Sequence, residues 1–289
     1  MLLLQAILCA APASAQSADD QQRPPTWTHS SGTTFRLFPA GDVYAVYVAD
    51  PHRTTNAITV HVLPRARIEQ TDTPRIGLNA GGRFGMLRID SGKPGGRSWQ
   101  LSIDAGLDAV FDSQNKQDAI GWDGNYGLTV TTASASPLSF KFALLHQSSH
   151  IGDEYVTRTG RARLNYTREE FALGVSWRLS RRWRAYGETG VAYVCRYEGQ
   201  EPWRAQGGAE YESRAIVFGG RFAWYGGADF SGWEERGWRL DTALRGGVVT
   251  RTDGRAYRIG AGWTDGAPPL GEFYKVSEGW FTFGLWIDL

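Results

Sequence analysis

The sequence predicts an all-β fold, namely a transmembrane antiparallel β-barrel of about 12 strands. Three observations support this prediction: long segments in which apolar and polar residues alternate, alternation that continues to the last residue, and connections that alternate between short and long. The alternating segments run for about 10 to 15 residues, whereas strands of soluble proteins mostly have about five or six. A membrane-spanning wall therefore explains the pattern better than a soluble sandwich does.

Residues 99–111 show the alternation most clearly, and residues 218–230 and 238–248 repeat it. In each segment one face is apolar and the other carries charged or polar groups, as expected for a wall with lipid outside and a polar lumen inside. The apolar face of the first segment consists of Trp99, Leu101, Ile103, Ala105, Leu107, Ala109 and Phe111.

Twelve segments have this character, and their connections differ in length. Short connections near 135–138, 180–182 and 253–254 alternate with long ones, as short periplasmic turns alternate with long outer loops in outer-membrane barrels. The twelve predicted strands lie near 56–64, 75–90, 98–112, 121–134, 138–150, 161–180, 183–198, 202–213, 214–230, 237–251, 255–264 and 278–289.

The two ends of the chain predict export and insertion into the cell outer membrane. Residues 1–15 have the apolar core and small-residue cleavage site of a signal peptide. Residues 16–54 are polar and contain proline, so we expect a periplasmic N-terminal segment that forms a cap or partial plug. Residues 55–289 form the predicted barrel. The C-terminal alternation resembles the signal by which such barrels are handed to the barrel-assembly machinery, an expected partner.

Composition excludes one class of partner and describes the lumen. The formal net charge is +1, so composition does not support nucleic-acid binding. The inward faces of the strands carry charges of both signs, which predicts a lumen filled by ion pairs and a barrel with little conductance. A selective pore would more often show one dominant sign. The predicted lumen charges are Asp104, Asp108, Lys141, Arg184, Glu188, Arg221, Asp229, Arg239, Asp241, Arg245 and Arg258.

One segment, residues 142–154, has residues typical of a catalytic site. The face that begins with apolar residues such as Phe140 continues upward through His146, Ser148 and His150. Alternation places His146 and Ser148 on the same outward face, about 15 Å above Phe140, where an imidazole could take a hydroxyl proton. We expect Ser148 Oγ to lie about 2.6–3.2 Å from a His146 nitrogen, or somewhat farther without substrate. The alternative is that these are polar rim residues.

The next predicted strand supplies a candidate third member. If its outward phase continues upward from Phe171, Asn165 projects to the same side as His146, where its amide could orient the imidazole. Arg161 and Arg163 share that phase and would lie near lipid phosphates, together with the neighbouring Arg158. The sequence thus predicts Ser148 as nucleophile, His146 as base and Asn165 as the orienting residue.

Several stretches resemble an outer-membrane family catalogued as domain of unknown function 1207. They are residues 37–40 (Leu-Phe-Pro-Ala), 49–53 (Ala-Asp-Pro-His-Arg), 146–154 and 163–169. The resemblance covers most of the mature chain. It implies an outer-membrane location and no established activity.

A more distant resemblance connects residues 146–153 with outer-membrane phospholipase A, whose site lies on the lipid-facing wall. His146 and Ser148 match its His-x-Ser, and Asp153 falls at the spacing of its calcium-binding Asp. The resemblance implies possible calcium binding, for which the adjacent Glu154 is a second candidate ligand. The family's Asn-Gly after the serine is replaced here by Ser149-His150. Outer-membrane lipid A deacylases carry a similar surface site.

The leading functional hypothesis is a lipid acyl-ester hydrolase at the outer surface, acting on outer-membrane lipids or lipopolysaccharide. His150, Arg161 and Arg163 are the candidate substrate-binding residues, and Asp153 and Glu154 are the candidate metal ligands. The alternatives are a non-enzymatic structural or lipid-binding barrel and a narrow diffusion channel. The sequence leaves open whether the protein is a monomer or a homodimer.

Overall fold

A computed structural model describes residues 25–196, 199–252 and 254–288. Within these residues the chain forms a closed barrel of twelve antiparallel strands, each hydrogen-bonded to the next in sequence and the last to the first. The predicted all-β barrel is therefore confirmed. The expected signal peptide, residues 1–15, lies outside the described residues.

Two short strands precede the barrel strands, and a single short α-helix interrupts them in the described part of the chain. Two 3₁₀ turns, Glu234–Arg236 and Gly271–Phe273, lie between strands. The elements are β1 (Thr26–Thr28), β2 (Thr34–Leu37), β3 (Asn56–Arg65), β4 (Arg75–Asp90), β5 (Ser98–Asp112), β6 (Asp118–Ala133), β7 (Leu138–Ile151), α1 (Asp153–Thr159), β8 (Thr167–Arg178), β9 (Trp183–Cys195), β10 (Trp203–Val217), β11 (Phe222–Trp233), β12 (Asp241–Thr252), β13 (Arg255–Gly266) and β14 (Glu278–Asp288).

The last strand closes the barrel against the first barrel strand, as the terminal alternation predicts. Strand β14 pairs antiparallel with β3, so that Phe283 lies opposite Val60 and Leu285 opposite Ile58. All four side chains are exposed on the outer surface. Closure satisfies the backbone groups of both edge strands, which a membrane-spanning sheet requires.

The outer surface is apolar and the inner surface polar, and β7 shows why. Phe140 and Phe142 are each more than 40% exposed on the outside, whereas Lys141 and Ala143 between them are buried inside. Apolar side chains gain nothing by facing a charged lumen, so the period-two pattern fixes which side faces lipid. The predicted outer-membrane location follows from this closed wall. None of the described helices combines the length and the hydrophobicity needed to cross a membrane.

The two ends of the barrel differ in their connections, which sets its orientation. Residues 134–137, 179–182 and 218–221 are short turns at the end that also carries both chain termini of the barrel. Residues 152–166 and 267–277 are long loops at the opposite end. Short turns are periplasmic and long loops extracellular in barrels of this class.

The N-terminal segment continues the wall and then enters the lumen. Strands β2 and β3 pair with the same edge of β4. Strand β2 pairs with its periplasmic end, and β3 pairs with its extracellular end. Between β2 and β3 the chain runs inside, where Tyr47 donates to Glu188 and the Val48 amide donates to Glu210. These contacts make the segment a plug across the lumen.

Ion pairs fill the space around this plug. Glu188 accepts hydrogen bonds from Tyr47 and Arg204 and also pairs with Lys141, and all four residues lie on the inside. Arg83 of β4 is held in the same way between Asp104 of the neighbouring β5 and Asp42 of the plug. Two predicted lumen residues lie elsewhere: Arg221 is exposed in a periplasmic turn, and Arg239 is exposed in an extracellular loop. Both strands begin later than their alternation suggests, β11 at Phe222 and β12 at Asp241.

The largest departures from the predicted strand boundaries lie at two places. Residues 161–166 form a loop that follows α1, so β8 begins at Thr167 and not at residue 161. A periplasmic turn separates β10 from β11 at residues 218–221, where Phe218, Gly219 and Gly220 all have positive φ. Left-handed residues cannot continue a strand, so alternation alone placed both boundaries incorrectly.

Candidate functional site

The outward row of β7 ends in polar side chains near the extracellular rim. His146, Ser148 and His150 continue the row of the exposed Phe140 and Phe142. The alternation of the strand explains this placement, because residues two apart project from the same face. The sequence therefore placed these three side chains on the correct face.

His146 forms a hydrogen bond with a residue that the sequence analysis did not select. Its Nδ1 lies 2.8 Å from Oε1 of Glu169, which is the residue directly opposite in β8. Tyr193 of β9 donates to the other carboxylate oxygen of Glu169 at 3.3 Å. Tyr126 of β6 stacks on the imidazole, with ring centroids 4.2 Å apart. The imidazole is thus held by its hydrogen bond with Glu169 and by stacking on the Tyr126 ring.

An imidazole–carboxylate pair is unexpected on a wall of this kind. The side chains of His146 and Glu169 are only 13% and 25% exposed, yet both belong to outward rows. Ionisable groups facing lipid are energetically costly, and in membrane proteins they commonly mark a function. The pair lies close to the extracellular end of β8, which begins at Thr167, so that water and headgroups can reach it.

Ser148 lies beside a gap in the wall made by a glycine. Gly124 of β6 is its cross-strand neighbour, and an added Cβ there would lie 3.3 Å from Ser148 Oγ and 3.5 Å from the Trp122 ring. The glycine thus leaves the hydroxyl uncovered between Trp122 and Tyr126. Within the described residues the hydroxyl forms no hydrogen bond with His146, so the expected close contact is absent. The Nδ1 of His146 is occupied by Glu169, which leaves Nε2 for that contact.

Asn165 is not brought to His146. It lies in the loop before β8 with a φ of +53°, and its backbone amide donates to Glu272 Oε1 at 2.7 Å. The extrapolated phase failed because β8 begins at Thr167, two residues after Asn165, and not at residue 161. Glu169 occupies the place that was predicted for Asn165. Glu169 belongs to the same outward phase, so alternation could have suggested it. Only the register of β7 against β8 shows that Glu169 is the residue opposite His146.

The other predicted binding residues have partners of their own. His150 packs against Trp122, with ring centroids 4.3 Å apart. Arg161 lies over the Phe273 ring at 4.7 Å and donates to the Glu272 carbonyl. Arg163 forms an ion pair with Asp153. Neither arginine is therefore a free phosphate ligand in this arrangement.

The predicted metal ligands do not form a calcium site. Asp153 and Glu154 lie in the first turn of α1, and Asp153 is already paired with Arg163. Calcium takes about six to eight oxygen ligands, and the described residues contain no group of three or more His, Cys, Asp or Glu side chains placed to hold a metal. The donor set around Asp153 does not fit the ion.

A buried polar network supports the wall from behind. Ser149 of β7 donates to Asp123 of β6 and accepts from the Glu272 amide at 2.9 Å. Asp123 also accepts from the Gly271 amide and from Gln147. The network ties the extracellular loop 267–277 to the two strands that carry Tyr126 and His146, and so holds the outward side chains in place.

Helix α1 and two loops pack together at the extracellular end of the barrel. Tyr155 of α1 is completely buried with Ile120, Leu270 and Phe273, and burial raises its pKa. Nearby, Tyr166 donates to Glu235 at 3.2 Å, and burial raises the pKa of both groups. The neutral phenol is therefore the donor.

A cavity with a volume of about 200 Å³ lies in the lumen. Its walls carry charged side chains, among them Lys141, Glu188 and Arg204, which neutralise one another. A lipid chain would not enter such a space, because its transfer from the bilayer would bring no gain in apolar contact. The cavity is therefore not the candidate site for lipid chemistry.

Comparisons with known proteins agree with this architecture. A family model described as "Protein of unknown function (DUF1207)" matches residues 10–287. The solved structure of outer membrane phospholipase A from Escherichia coli is similar, with a TM-score of 0.53 and 10% identity over 86% of this chain and 94% of that one. The Salmonella typhi outer membrane phospholipase dimer with bound calcium gives 0.53 at 9% identity, with the same coverage. No curated protein sequence matches significantly. The structural likeness shows the fold.

Proposed function

The chain belongs to the DUF1207 family, since the family model covers nearly all of it, and we propose that this outer-membrane barrel is a lipid acyl-ester hydrolase with its site on the outer wall. The observation that carries the proposal is the His146–Glu169 pair, which lies on the lipid-facing surface in the same row as Ser148. The proposed roles are Ser148 as nucleophile, His146 as base and Glu169 as the orienting carboxylate. Glu169 replaces the Asn165 of the sequence hypothesis.

The arrangement supplies the parts of a nucleophile–base–acid triad. Glu169 bonds to Nδ1 of His146, which fixes the tautomer that presents a basic Nε2 toward the hydroxyl row. When Ser148 Oγ attacks the ester carbonyl carbon, Nε2 takes the hydroxyl proton and Glu169 stabilises the imidazolium. The same proton then passes to the departing alkoxide oxygen. Water hydrolyses the acyl-serine by the reverse sequence of proton transfers.

The missing Ser148–His146 hydrogen bond forms when substrate enters, according to this proposal. Catalytic hydrogen bonds are often long or absent without substrate and tighten in the reactive complex. Ser148 has room to turn, because Gly124 leaves the space above it empty. The acyl chain of the substrate would lie along the apolar column below, where Phe140 and Phe142 face lipid.

Two structural neighbours are phospholipases, and one of them has bound calcium. We propose the same substrate class here, esters of membrane lipids, without a step through calcium, because Asp153 and Glu154 do not form a site for the ion. The oxyanion would instead be stabilised by groups of this wall. Thr167, whose side chain shares the outward row of β8 and faces Ser148 across the strands, is the candidate donor.

The test is release of fatty acid from detergent-dispersed phospholipid and, separately, lipopolysaccharide by the purified barrel. Replacing Ser148 with Ala should lower the rate by about 10³-fold or more, because the nucleophile is lost. Ser139→Ala is the matched control, since Ser139 lies on the same strand but on the inner face near the periplasmic end. Equal rates for parent and Ser148→Ala protein would exclude Ser148 as the nucleophile.

A further inference from the structure

Four arginines cluster at the periplasmic end of β8–β11, far from the site above. Arg181 and Arg182 occupy the β8–β9 turn, Arg214 lies near the end of β10, and Arg221 lies in the β10–β11 turn. All four are exposed. The ion pair beside these turns joins two other residues, Arg251 and Glu212, and within the described residues no carboxylate pairs with the four arginines. The Glu212 amide donates to the Arg182 carbonyl, so the two turns are in contact. We name these four residues the periplasmic basic rim.

Arginines elsewhere on the two rims are held by carboxylates. At the extracellular end Arg163 pairs with Asp153, and both Arg65 and Arg239 pair with Asp265. At the periplasmic end Arg251 pairs with Glu212. Unpaired guanidinium groups in one cluster indicate a partner with negative charge.

Large apolar side chains adjoin the basic rim on its membrane side. Trp177 and Trp183 are about half exposed in the wall beside the β8–β9 turn, and Leu179 is exposed within that turn. On the β10–β11 hairpin, Ile216 and Phe218 are 66% and 71% exposed between Arg214 and Arg221. Aromatic belts mark the level of the lipid headgroups in membrane barrels. The basic rim therefore lies where phosphate groups of the periplasmic leaflet are found.

We propose that the periplasmic basic rim is a binding surface for anionic phospholipid headgroups of the periplasmic leaflet. Guanidinium groups suit this ligand because each can donate two parallel hydrogen bonds to one phosphate. The exposed Ile216 and Phe218 would insert beside the acyl chains and hold the hairpin against the leaflet. This surface is independent of the outer-wall site, and neither proposal depends on the other.

The test uses the complete barrel reconstituted in phosphatidylcholine vesicles that contain brominated phosphatidylglycerol or brominated phosphatidylcholine. Bromine quenches nearby tryptophan fluorescence, and the difference between the parent and Trp177→Phe protein isolates the signal of Trp177 beside the rim. At low salt we expect brominated phosphatidylglycerol to quench more strongly. Each interfacial arginine strengthens attraction to an anionic surface by about five-fold, so replacing all four rim arginines with Gln should lower the preference about five-fold or more.

The matched control removes four positive charges from the extracellular end with the substitutions Arg67→Gln, Lys116→Gln, Arg196→Gln and Arg239→Gln. This variant should keep the preference of the parent. High salt should abolish the preference in the parent itself, because exposed charges are screened, and that measurement requires no folded variant. Equal quenching by the two lipids in the parent at low salt would overturn the proposal, as would an equal loss in the control variant.

Discussion

His146 and Glu169 face each other across neighbouring strands, and the imidazole Nδ1 lies 2.8 Å from the carboxylate Oε1. The pair is outward-facing, near the rim, and further fixed by Tyr193 and Tyr126. Because a carboxylate holds Nδ1, only Nε2 is free to act as a base. The chemistry proposed for this wall depends on that one cross-strand contact.

The first prediction separates Glu169 from Asn165. Glu169→Gln keeps the shape of the side chain but removes the charge that stabilises the imidazolium, so lipid hydrolysis should fall by about 10²–10⁴-fold. Asn165→Ala should retain the rate of the parent, because Asn165 makes its hydrogen bonds with Glu272 and Thr167 through its backbone, which the substitution keeps. Fatty-acid release by the folded variants measures both. The reverse order of effects would restore Asn165 as the orienting residue.

The site could be predicted from the sequence only in part, for a physical reason. Alternation fixes which face a residue occupies within one strand, so His146 and Ser148 were placed correctly. It does not fix the register between two strands when a loop of unknown shape connects them. Residues 161–166, which the sequence analysis assigned to β8, instead form a loop after α1 that includes the left-handed Asn165. The residue opposite His146 is Glu169.

A second prediction concerns the opening above Ser148. Gly124→Val would place methyl groups against Ser148 Oγ and the Trp122 ring, because even a Cβ lies within 3.3–3.5 Å of them. We expect hydrolysis to fall at least ten-fold, or about 1.4 kcal/mol of transition-state stabilisation, with the barrel still folded. Gly187→Val is the control, since Gly187 belongs to an outward row of β9 and a Cβ there meets only the Gln206 carbonyl at 3.9 Å. Full activity of Gly124→Val protein would show that substrate does not approach Ser148 from this side.

The third prediction concerns calcium. Asp153 is paired with Arg163 and 89% exposed, so neither a chelator nor Asp153→Asn should change the rate of lipid hydrolysis by more than about two-fold, since rim charges contribute little. Rates in excess calcium and in excess chelator provide the comparison. A strong, saturable dependence on calcium would show that the site gains oxygen ligands that the described residues do not provide, for example from a second copy of the chain.

The fourth prediction concerns conductance. The plug segment crosses the lumen through Tyr47 and Val48, and the remaining space is held by ion pairs around Glu188. Planar bilayer recordings should therefore show no large, stable single-channel currents at neutral pH. Such currents would favour a diffusion channel and would require the plug to leave the lumen.

The fold was more predictable than the site, because a barrel repeats one simple rule twelve times. Outward residues such as Phe283 and inward residues such as Lys141 follow the same two-residue period. The same alternation in adjacent strands supports the assignment of each one. The plug lacks such a rule. Tyr47 and Val48 are placed by contacts with Glu188 and Glu210, more than a hundred residues away, which no local pattern reveals.

The last prediction concerns closure of the barrel at its extracellular end. Arg75 of β4 and Glu278 of β14 form two hydrogen bonds of 2.6 and 2.9 Å across β3, with side chains 3% and 1% exposed. Glu278→Ala leaves a buried guanidinium without its carboxylate and should lower the free energy of unfolding by about 3–5 kcal/mol. The control is Glu212→Ala, which removes the pairing of an exposed arginine, Arg251, and should cost at most about 1 kcal/mol. Urea titrations of the barrel in vesicles measure both, and equal losses would mean that the buried pair does not hold the closing strands together.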